Sequence, residues 1–236
     1  LINNRDFIIT YNPHFIAQGT TFYNLNNPDI LLLGSNSTGG RKVLTKLYKK
    51  IYKSKKFFKH LNLIEAEITK LSVNAFVTNK ITFSNYISTL CENLIGANAS
   101  LILDSIGQDR RIGKSYMKVG TRFSGPCFPR DNKALATFSK LVKSNYNFLN
   151  YVDKFNNQQT FRLIKKIRLF VKSSKKRPNI GVLGVTYKKD TNIIYDSQGY
   201  ELIKKIVGSS IKYNKLYIFD PYISNYDDIK KFHTTY

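Results

Sequence analysis

The chain has 236 residues, a formal net charge of +23 and only two cysteines. That length is enough for one large domain or two small ones. No segment approaches the roughly 18 consecutive apolar residues of a membrane span, and no signal peptide is recognisable, so we expect no membrane partner and a cytoplasmic location. Cys91 and Cys127 favour a reducing compartment over a disulfide scaffold, and the scattered histidines His14, His60 and His233 predict no metal site.

The charge raises the possibility of a nucleic-acid partner, because basic proteins attract phosphates. The lysines, however, are spread along the whole chain, for example at positions 49–50, 165–166 and 204–205. This even spread indicates solvated faces rather than one basic patch, so no specific nucleic acid is expected. A basic nucleic-acid binder, whose affinity would fall steeply with salt, is kept as the most distant alternative.

The apolar patterns along the chain predict an α/β protein. Residues 6–10 (DFIIT) and 29–34 (DILLLG) have the short apolar runs of buried parallel strands, and residues 41–53 have helical spacing. A helix of about thirty residues is predicted from 65 to 94, ending before Gly96, with Cys91 in its core face. Shorter helices follow at 100–106, 132–141 and 152–171. After a basic linker at 173–178, a strand (179–185), a helix (197–207) and a strand (215–219) predict the start of a further parallel α/β domain.

The segment from Phe123 to Asp131 (FSGPCFPRD) is the most informative part of the chain. Cys127 lies in a turn shaped by glycine and proline, with Arg130 and Asp131 three and four residues further on. Positive charge beside a thiol favours its thiolate below the free pKa of roughly 8.5, and a thiolate can attack a carbonyl carbon. The alternative is a small, buried, inert cysteine.

Several motifs occur in order along nearly the whole chain. They are NPHF at 12–15, NPD at 27–29, KLSVNAF at 70–76, DRRIG at 109–113, the cysteine turn, YKKDT at 187–191 and DP at 220–221. Together they resemble the UDP-glucose/GDP-mannose dehydrogenase family, whose members oxidise the C6 alcohol of a nucleotide sugar to a carboxylate with two NAD in succession. UDP-glucose is the first expectation for the substrate, although the motifs are shared with enzymes acting on GDP-mannose and UDP-N-acetylmannosamine.

The resemblance implies three parts. Residues 1–60 would be the tail of an N-terminal NAD-binding Rossmann domain, residues 61–172 a central all-helical domain with a long spine helix that forms a homodimer, and residues 178–236 the start of a C-terminal Rossmann-like domain for the nucleotide sugar. The glycine-rich turn that binds the pyrophosphate of a dinucleotide is not found in the sequence. The chain alone is therefore expected not to turn over, and a truncated, inactive remnant that keeps the dimer module is the main alternative.

The resemblance also implies roles for individual residues. Cys127 would capture the sugar aldehyde as a thiohemiacetal and later carry a thioester. Lys70 and Asn74, four apart on one helix face, would hold the C6 oxygen, and Asp131 would lie near the attacking water. Read from the residues alone, Lys70 and Asn74 could be an exposed pair and Asp131 a helix N-cap.

The implied binding contacts form two sets. The substrate contacts are Phe15, Ile16, Ala17, Arg111 (in relatives reaching the neighbouring subunit's site), Lys118, Phe123, Ser124, Gly125, Tyr187 and Lys188. The NAD contacts are Gln18, Pro126, Arg130 and Tyr195.

Some positions depart from the family pattern. His14 stands where the family has the glutamate that assists hydrolysis of the thioester, and a histidine with a pKa near 6.5 could serve as the base instead. Gln18 replaces a second glutamate. Tyr195 replaces an arginine directed toward NAD, Ile193 replaces a nearby acidic residue, and Arg122 stands where a small residue is common.

Overall fold

The computed structural model describes residues 5–52, 58–144 and 146–223; His233 lies outside them. Contacts between residues divide the chain into two compact units, Leu1–Val73 and Asn74–Tyr236. The division falls within a long helix.

The first unit is built around a strand–helix–strand crossover. Its elements are α1 (Thr21–Asn26), β1 (Leu31–Gly34), α2 (Thr38–Ile51), β2 (Phe58–Leu61) and the beginning of α3 (Leu63–Cys91). β1 pairs in parallel with β2, and Leu31 lies opposite Phe58. Every residue of β1 is buried, and Tyr48 of α2 packs against Leu31 and Leu33. The strand predicted at 29–34 and the helix predicted at 41–53 are confirmed, with slightly different ends.

The strand predicted at residues 6–10 is wrong. None of the strands among the described residues includes residues 6–10: Phe7 forms a single β-bridge, and Tyr11, one residue beyond the range, makes an isolated antiparallel bridge with Gly34. Phe7, Ile8 and Ile9 remain 41–47% exposed. A short apolar run predicts a parallel strand only if both of its faces are covered, and that burial is missing here.

The second unit begins with the helical part of the chain. After the 29-residue α3 come α4 (Ala99–Gln108), α5 (Phe128–Leu141) and α6 (Phe148–Ser173). The predicted long helix is therefore confirmed. The buried residues of α3 within this unit are mostly small or polar. Asn85 Nδ2 donates to the Thr121 carbonyl at 3.0 Å, and Thr78 Oγ1 donates to Asn132 at 3.0 Å, whereas Asn85 Oδ1 has no hydrogen-bond partner among the described residues.

A second strand–helix–strand crossover follows, formed by β3 (Ile180–Leu183), α7 (Gln198–Val207) and β4 (Leu216–Phe219), as predicted. The two strands pair in parallel with Ile180 opposite Leu216. Val182, Ile203, Ile206 and Ile218 are among the buried residues of its core. Among the described residues, no helix has the length and apolarity needed to cross a bilayer.

Candidate active site

Cys127 lies at the N-cap position of α5, with a helical backbone conformation (φ −94°, ψ −55°) and an exposed side chain. Pro129 occupies the first turn, where a missing N–H costs nothing because that group would have no helical partner. The N-terminus of a helix stabilises negative charge through its free N–H groups.

Asp131 lies in the first turn of α5 rather than at its N-cap, so the N-cap interpretation of this residue is wrong. The helix begins at Phe128, four residues earlier than predicted. The Asp131 carboxylate is buried, with 2% of the residue exposed. It accepts a 2.6 Å hydrogen bond from Asn74 Nδ2 and a 2.9 Å hydrogen bond from Arg130 Nε. The structure thus brings the predicted residues Asn74 and Asp131 together beside the helix end that carries Cys127.

Lys70 is half-buried within the first unit, against the loop that holds His14. Its Nζ donates to the His14 carbonyl at 3.1 Å and lies 4.6 Å from the centre of the Phe15 ring, a cation–π distance. The His14 imidazole is exposed, and its Nε2 lies 3.4 Å from Tyr48 Oη. The next predicted contacts in this loop, Ile16, Ala17 and Gln18, are also exposed.

The segment before Cys127 is held by a side chain of α6. Phe123 is buried, its N–H donates to Asn156 Oδ1 at 2.8 Å, and its carbonyl accepts from Asn156 Nδ2 at 2.8 Å. Ser124 beside it is half-buried. These paired bonds fix the backbone that leads into the cysteine turn.

Gly125 and Tyr187 are in direct contact. Gly125 has φ +82°, and a Cβ at this position would overlap the Tyr187 ring. Glycine is required here both for the left-handed backbone and for space. Burial, and then the electrostatic interaction with Cys127, raise the pKa of Tyr187 above its usual value near 10, so this phenol stays protonated at neutral pH.

A cavity of about 440 Å³ adjoins the cysteine turn. Three of the four predicted NAD contacts, Pro126, Arg130 and Tyr195, line it together with Arg122. Arg122 is 7% exposed, and its Nε has no hydrogen-bond partner within the described ranges. The lining carries three cations, Arg122, Arg130 and Lys133, and two carboxylates, Asp153 and Asp196. This excess of positive charge and the unsatisfied buried donor fit one polar end of a dinucleotide. Gln18, the fourth predicted contact, belongs to the other unit.

Arg111, Lys118 and Lys188 are not in this cavity, and all three are exposed. Lys118 lines a separate cavity of about 1070 Å³ with residues of α3 and α4. Arg111 Nη2 lies 2.6 Å from Asp109 Oδ2, and this bond lowers the pKa of Asp109. At the described positions, no group of three or more histidine, cysteine, aspartate or glutamate side chains could hold a metal ion.

Two site residues were not assigned a role from the sequence. Asn156 holds Phe123, and the only signal for it was its position on the apolar face of its helix, four residues after Val152. Arg122 was noted as a departure from the family pattern, but the structure alone shows that it is buried and bonded to Asp196.

In chain order, a helical segment lies between two strand–helix–strand crossovers, and solved structures of UDP-sugar dehydrogenases share this combination of Rossmann and central helical domains. Residues 64–158 match the central domain of the UDP-glucose/GDP-mannose dehydrogenase family, and the predicted resemblance to this family is confirmed.

The relatives and solved structures agree with this family. The UDP-glucose 6-dehydrogenase of Rickettsia felis is 31% identical over 215 residues, which cover 91% of this chain and 47% of that protein. The Bacillus subtilis enzyme of the same name is 30% identical over 208 residues, covering 87% and 44%. A UDP-glucose dehydrogenase structure from Pyrobaculum islandicum superposes with a TM-score of 0.83 at 24% identity, covering 91% of this chain and 48% of that one, and supports the fold. The chain spans about half the length of the relatives it matches.

Proposed function

We propose that the chain is the substrate-binding and thiol-bearing part of an NAD-dependent nucleotide-sugar 6-dehydrogenase, with UDP-glucose as its substrate. The observation that carries the proposal is the grouping at the start of α5: an exposed thiol at a helix N-terminus, with the hydrogen-bonded pair Asn74 and Asp131 beside it. The relatives that share most of this chain are UDP-glucose 6-dehydrogenases. In this proposal residues 1–60, 61–172 and 178–236 belong to the three domains expected from the resemblance.

The proposed chemistry takes place on the Cys127 sulfur. The thiolate adds to the C6 aldehyde of the nucleotide sugar, a C–S bond forms, and the former carbonyl oxygen takes up a proton. Loss of the C6 hydrogen as hydride, together with the hydroxyl proton, converts this thiohemiacetal to a thioester; NAD, when bound, would accept the hydride. Water then adds to the thioester and the C–S bond breaks, which releases the carboxylate and regenerates the thiol.

The residues around the sulfur have distinct parts in this scheme. Lys70 and Asn74 donate to the developing oxyanion at C6, which is the electrostatic stabilisation that acyl chemistry needs. Asp131 orients the attacking water, and His14 takes its proton in place of a glutamate. When bound, two NAD molecules in succession supply the hydride acceptor, and Gln18, Pro126, Arg130 and Tyr195 would hold the dinucleotide.

Substrate protection of the thiol is the direct test. The chain is treated with iodoacetamide, and the alkylation rate of Cys127 is followed by mass spectrometry in the presence of UDP-glucose, its C6 aldehyde, or UDP alone. We expect UDP-glucose to slow alkylation at least about 5-fold, and the aldehyde to protect at lower concentration because only the aldehyde bonds to sulfur. Cys91, treated in the same sample, is the internal control. Equal rates with and without both sugars would disprove the proposal.

We further propose that a second copy of the chain covers one face of α3. Phe76, Phe83 and Leu90 follow each other at intervals of seven residues and are 65%, 44% and 43% exposed. Such a spacing keeps one helix face apolar, and exposed apolar patches mark interaction sites. The exposed Arg111 is then available to the partner's site.

Sedimentation of two variants tests this assembly. Phe76→Glu combined with Phe83→Glu is expected to give monomers, whereas Phe170→Glu, at a 66% exposed position on α6, is expected to leave the dimer intact. A monomeric parent chain would contradict the proposal.

A further inference from the structure

Arg122 is a buried cation in the segment that leads to Cys127. Its side chain is 6% exposed and forms an ion pair with the Asp196 carboxylate. The guanidinium also donates to the Asp196 carbonyl at 2.7 Å and to Asn157 Oδ1 at 3.4 Å. A charge removed from water needs compensation by a partner and by hydrogen bonds, and Asp196 supplies both.

The partner of Arg122 is itself firmly placed. Asp196 has φ +53°, a left-handed conformation that is uncommon for non-glycine residues, although aspartate adopts it more often than most. The next residue, Ser197, caps α7 by accepting a hydrogen bond from the Tyr200 N–H, and its hydroxyl donates to the Val185 carbonyl. The ion pair therefore joins residue 122 to the N-terminus of a helix that is anchored in the C-terminal core.

Two further contacts hold the same short segment. Asn156 brackets Phe123 with two hydrogen bonds, and the Tyr187 ring packs on Gly125. Residue 122 is thus fixed from the residue before the N-cap of α7, residue 123 from α6, and residue 125 from the loop after β3. Cys127 follows two residues after the last of these contacts.

We propose that Arg122 is a positioning residue for Cys127: its ion pair with Asp196 fixes the backbone of residues 122–126 and so holds the sulfur at the start of α5 in the orientation that meets the substrate. The expected effect of Arg122 on substrate binding rests on the proposed function. Its effect on the backbone of residues 122–126 does not, because hydrogen exchange measures that effect without any ligand. Arg122 acts through the chain, since the contacts of its guanidinium are with Asp196 and Asn157.

The first arm of the test measures the energetic coupling between Arg122 and Asp196. Removing one member of a buried ion pair leaves the other charge unpaired, whereas neutralising both removes that penalty. Hydrogen exchange of residues 120–127 is expected to be at least about 10-fold faster in Arg122→Met than in the parent chain, and to return to within about 3-fold in Arg122→Met with Asp196→Asn. Lys166→Met, which breaks an ion pair with Glu92 at a half-exposed position, is the control and should not change exchange in this segment.

The second arm separates positioning from a general loss of stability. The C6 aldehyde protects Cys127 from alkylation, and we compare the aldehyde concentration that halves the alkylation rate. This concentration should rise at least about 5-fold in Arg122→Met and return to the parent value in the double variant. The alkylation rate of Cys91 should not change. If the parent chain is not protected at all, the proposed function fails, and the exchange arm still decides the role of Arg122.

If Arg122→Met does not fold, Arg122→Lys is measured in its place. Lysine retains the charge but not the planar fork of donors, so exchange at residues 120–127 should be intermediate, about 3-fold faster than in the parent. The proposal would be overturned if exchange at residues 120–127 were unchanged in both Arg122→Met and Arg122→Lys. It would also be overturned if the change in exchange in the double variant equalled the sum of the changes in Arg122→Met and in Asp196→Asn.

Discussion

Asn74 and Asp131 are joined by a 2.6 Å hydrogen bond that ties α3 to the first turn of α5. The amide belongs to the long helix and the carboxylate to the helix that begins at Cys127, so one bond sets the distance between a proposed oxyanion donor and a proposed water-orienting group. Asp131 also accepts from Arg130, but the Arg130 side chain is 68% exposed. Water can therefore compete with Arg130 for the Asp131 carboxylate, and we expect Asn74 to be the more persistent of the two hydrogen-bond donors.

Asn74→Ala is expected to destabilise the protein by about 1–3 kcal/mol, because a buried carboxylate loses a hydrogen-bond donor. Urea unfolding at neutral pH measures this change. Asn93→Ala removes a 3.0 Å bond to the Thr89 carbonyl at an exposed position and should stay within about 0.5 kcal/mol of the parent. Equal stabilities of the two variants would mean that the bond to Asp131 contributes little.

Gly125→Ala should be the most damaging of three glycine substitutions. Alanine there meets both an unfavourable φ of +82° and the Tyr187 ring, whereas at Gly113 it meets only φ +72° in open space, and at Gly120 it meets neither. We expect the loss in unfolding free energy to increase in the order 120, 113, 125, with about 1 kcal/mol for the backbone term alone. A Gly125→Ala loss no larger than that of Gly113→Ala would show that the Tyr187 ring moves aside freely.

The periodic parts of the chain could be predicted from sequence because their signal is local. The long helix, the helices of the central part and the two strands of the C-terminal crossover follow from apolar spacing and turn residues. β2 could not be predicted, since Lys59 and His60 in its centre are exposed and give no apolar run. Residues 6–10 do have an apolar run, but no strand forms there because their side chains are not buried on both faces.

The contacts around Cys127 could be predicted only in part. The cysteine turn and the pairing of Lys70 with Asn74 on one helix face are local features, and the family resemblance suggested their use. The contacts that fix the turn join residues far apart in the chain: Asn156 with Phe123, Tyr187 with Gly125, and Asp196 with Arg122. No local pattern specifies such pairs, because they depend on how helices and loops pack in three dimensions.

Asp220, which follows β4, should make the protein more stable at neutral than at acid pH. Burial acts to raise the pKa of Asp220, but hydrogen bonds from the N–H groups of Thr186, Tyr222 and Val185 and from the Thr186 hydroxyl outweigh it and lower the pKa. A lowered folded-state pKa gives stability that is present above the unfolded value of about 3.9 and is lost as the pH falls through the folded value.

Asp220→Asn is therefore expected to cost about 1–3 kcal/mol at pH 7, where the carboxylate is ionised and its donors lose an acceptor. The cost should shrink toward pH 3. Unfolding free energies of the variant and the parent at both pH values measure this, with Asp104→Asn, at an exposed position on α4, as the control. A cost that does not change with pH would rule out the charge as its source.

Asp153 should show the opposite dependence. Its carboxylate accepts a 2.8 Å hydrogen bond from Asn132, but burial outweighs this bond and raises the pKa of Asp153. The folded protein therefore binds the proton more tightly than the unfolded chain, so this group's contribution is fully present below the unfolded pKa of about 3.9 and is lost as the pH rises through the folded value. Asp153→Asn keeps the acceptor for Asn132 and carries no charge, so the variant should be more stable than the parent at pH 7 and should lose that advantage near pH 3. A variant less stable than the parent at pH 7 would show that ionised Asp153 is stabilised by its surroundings, which include Arg122 and Lys133 in the wall of the same cavity.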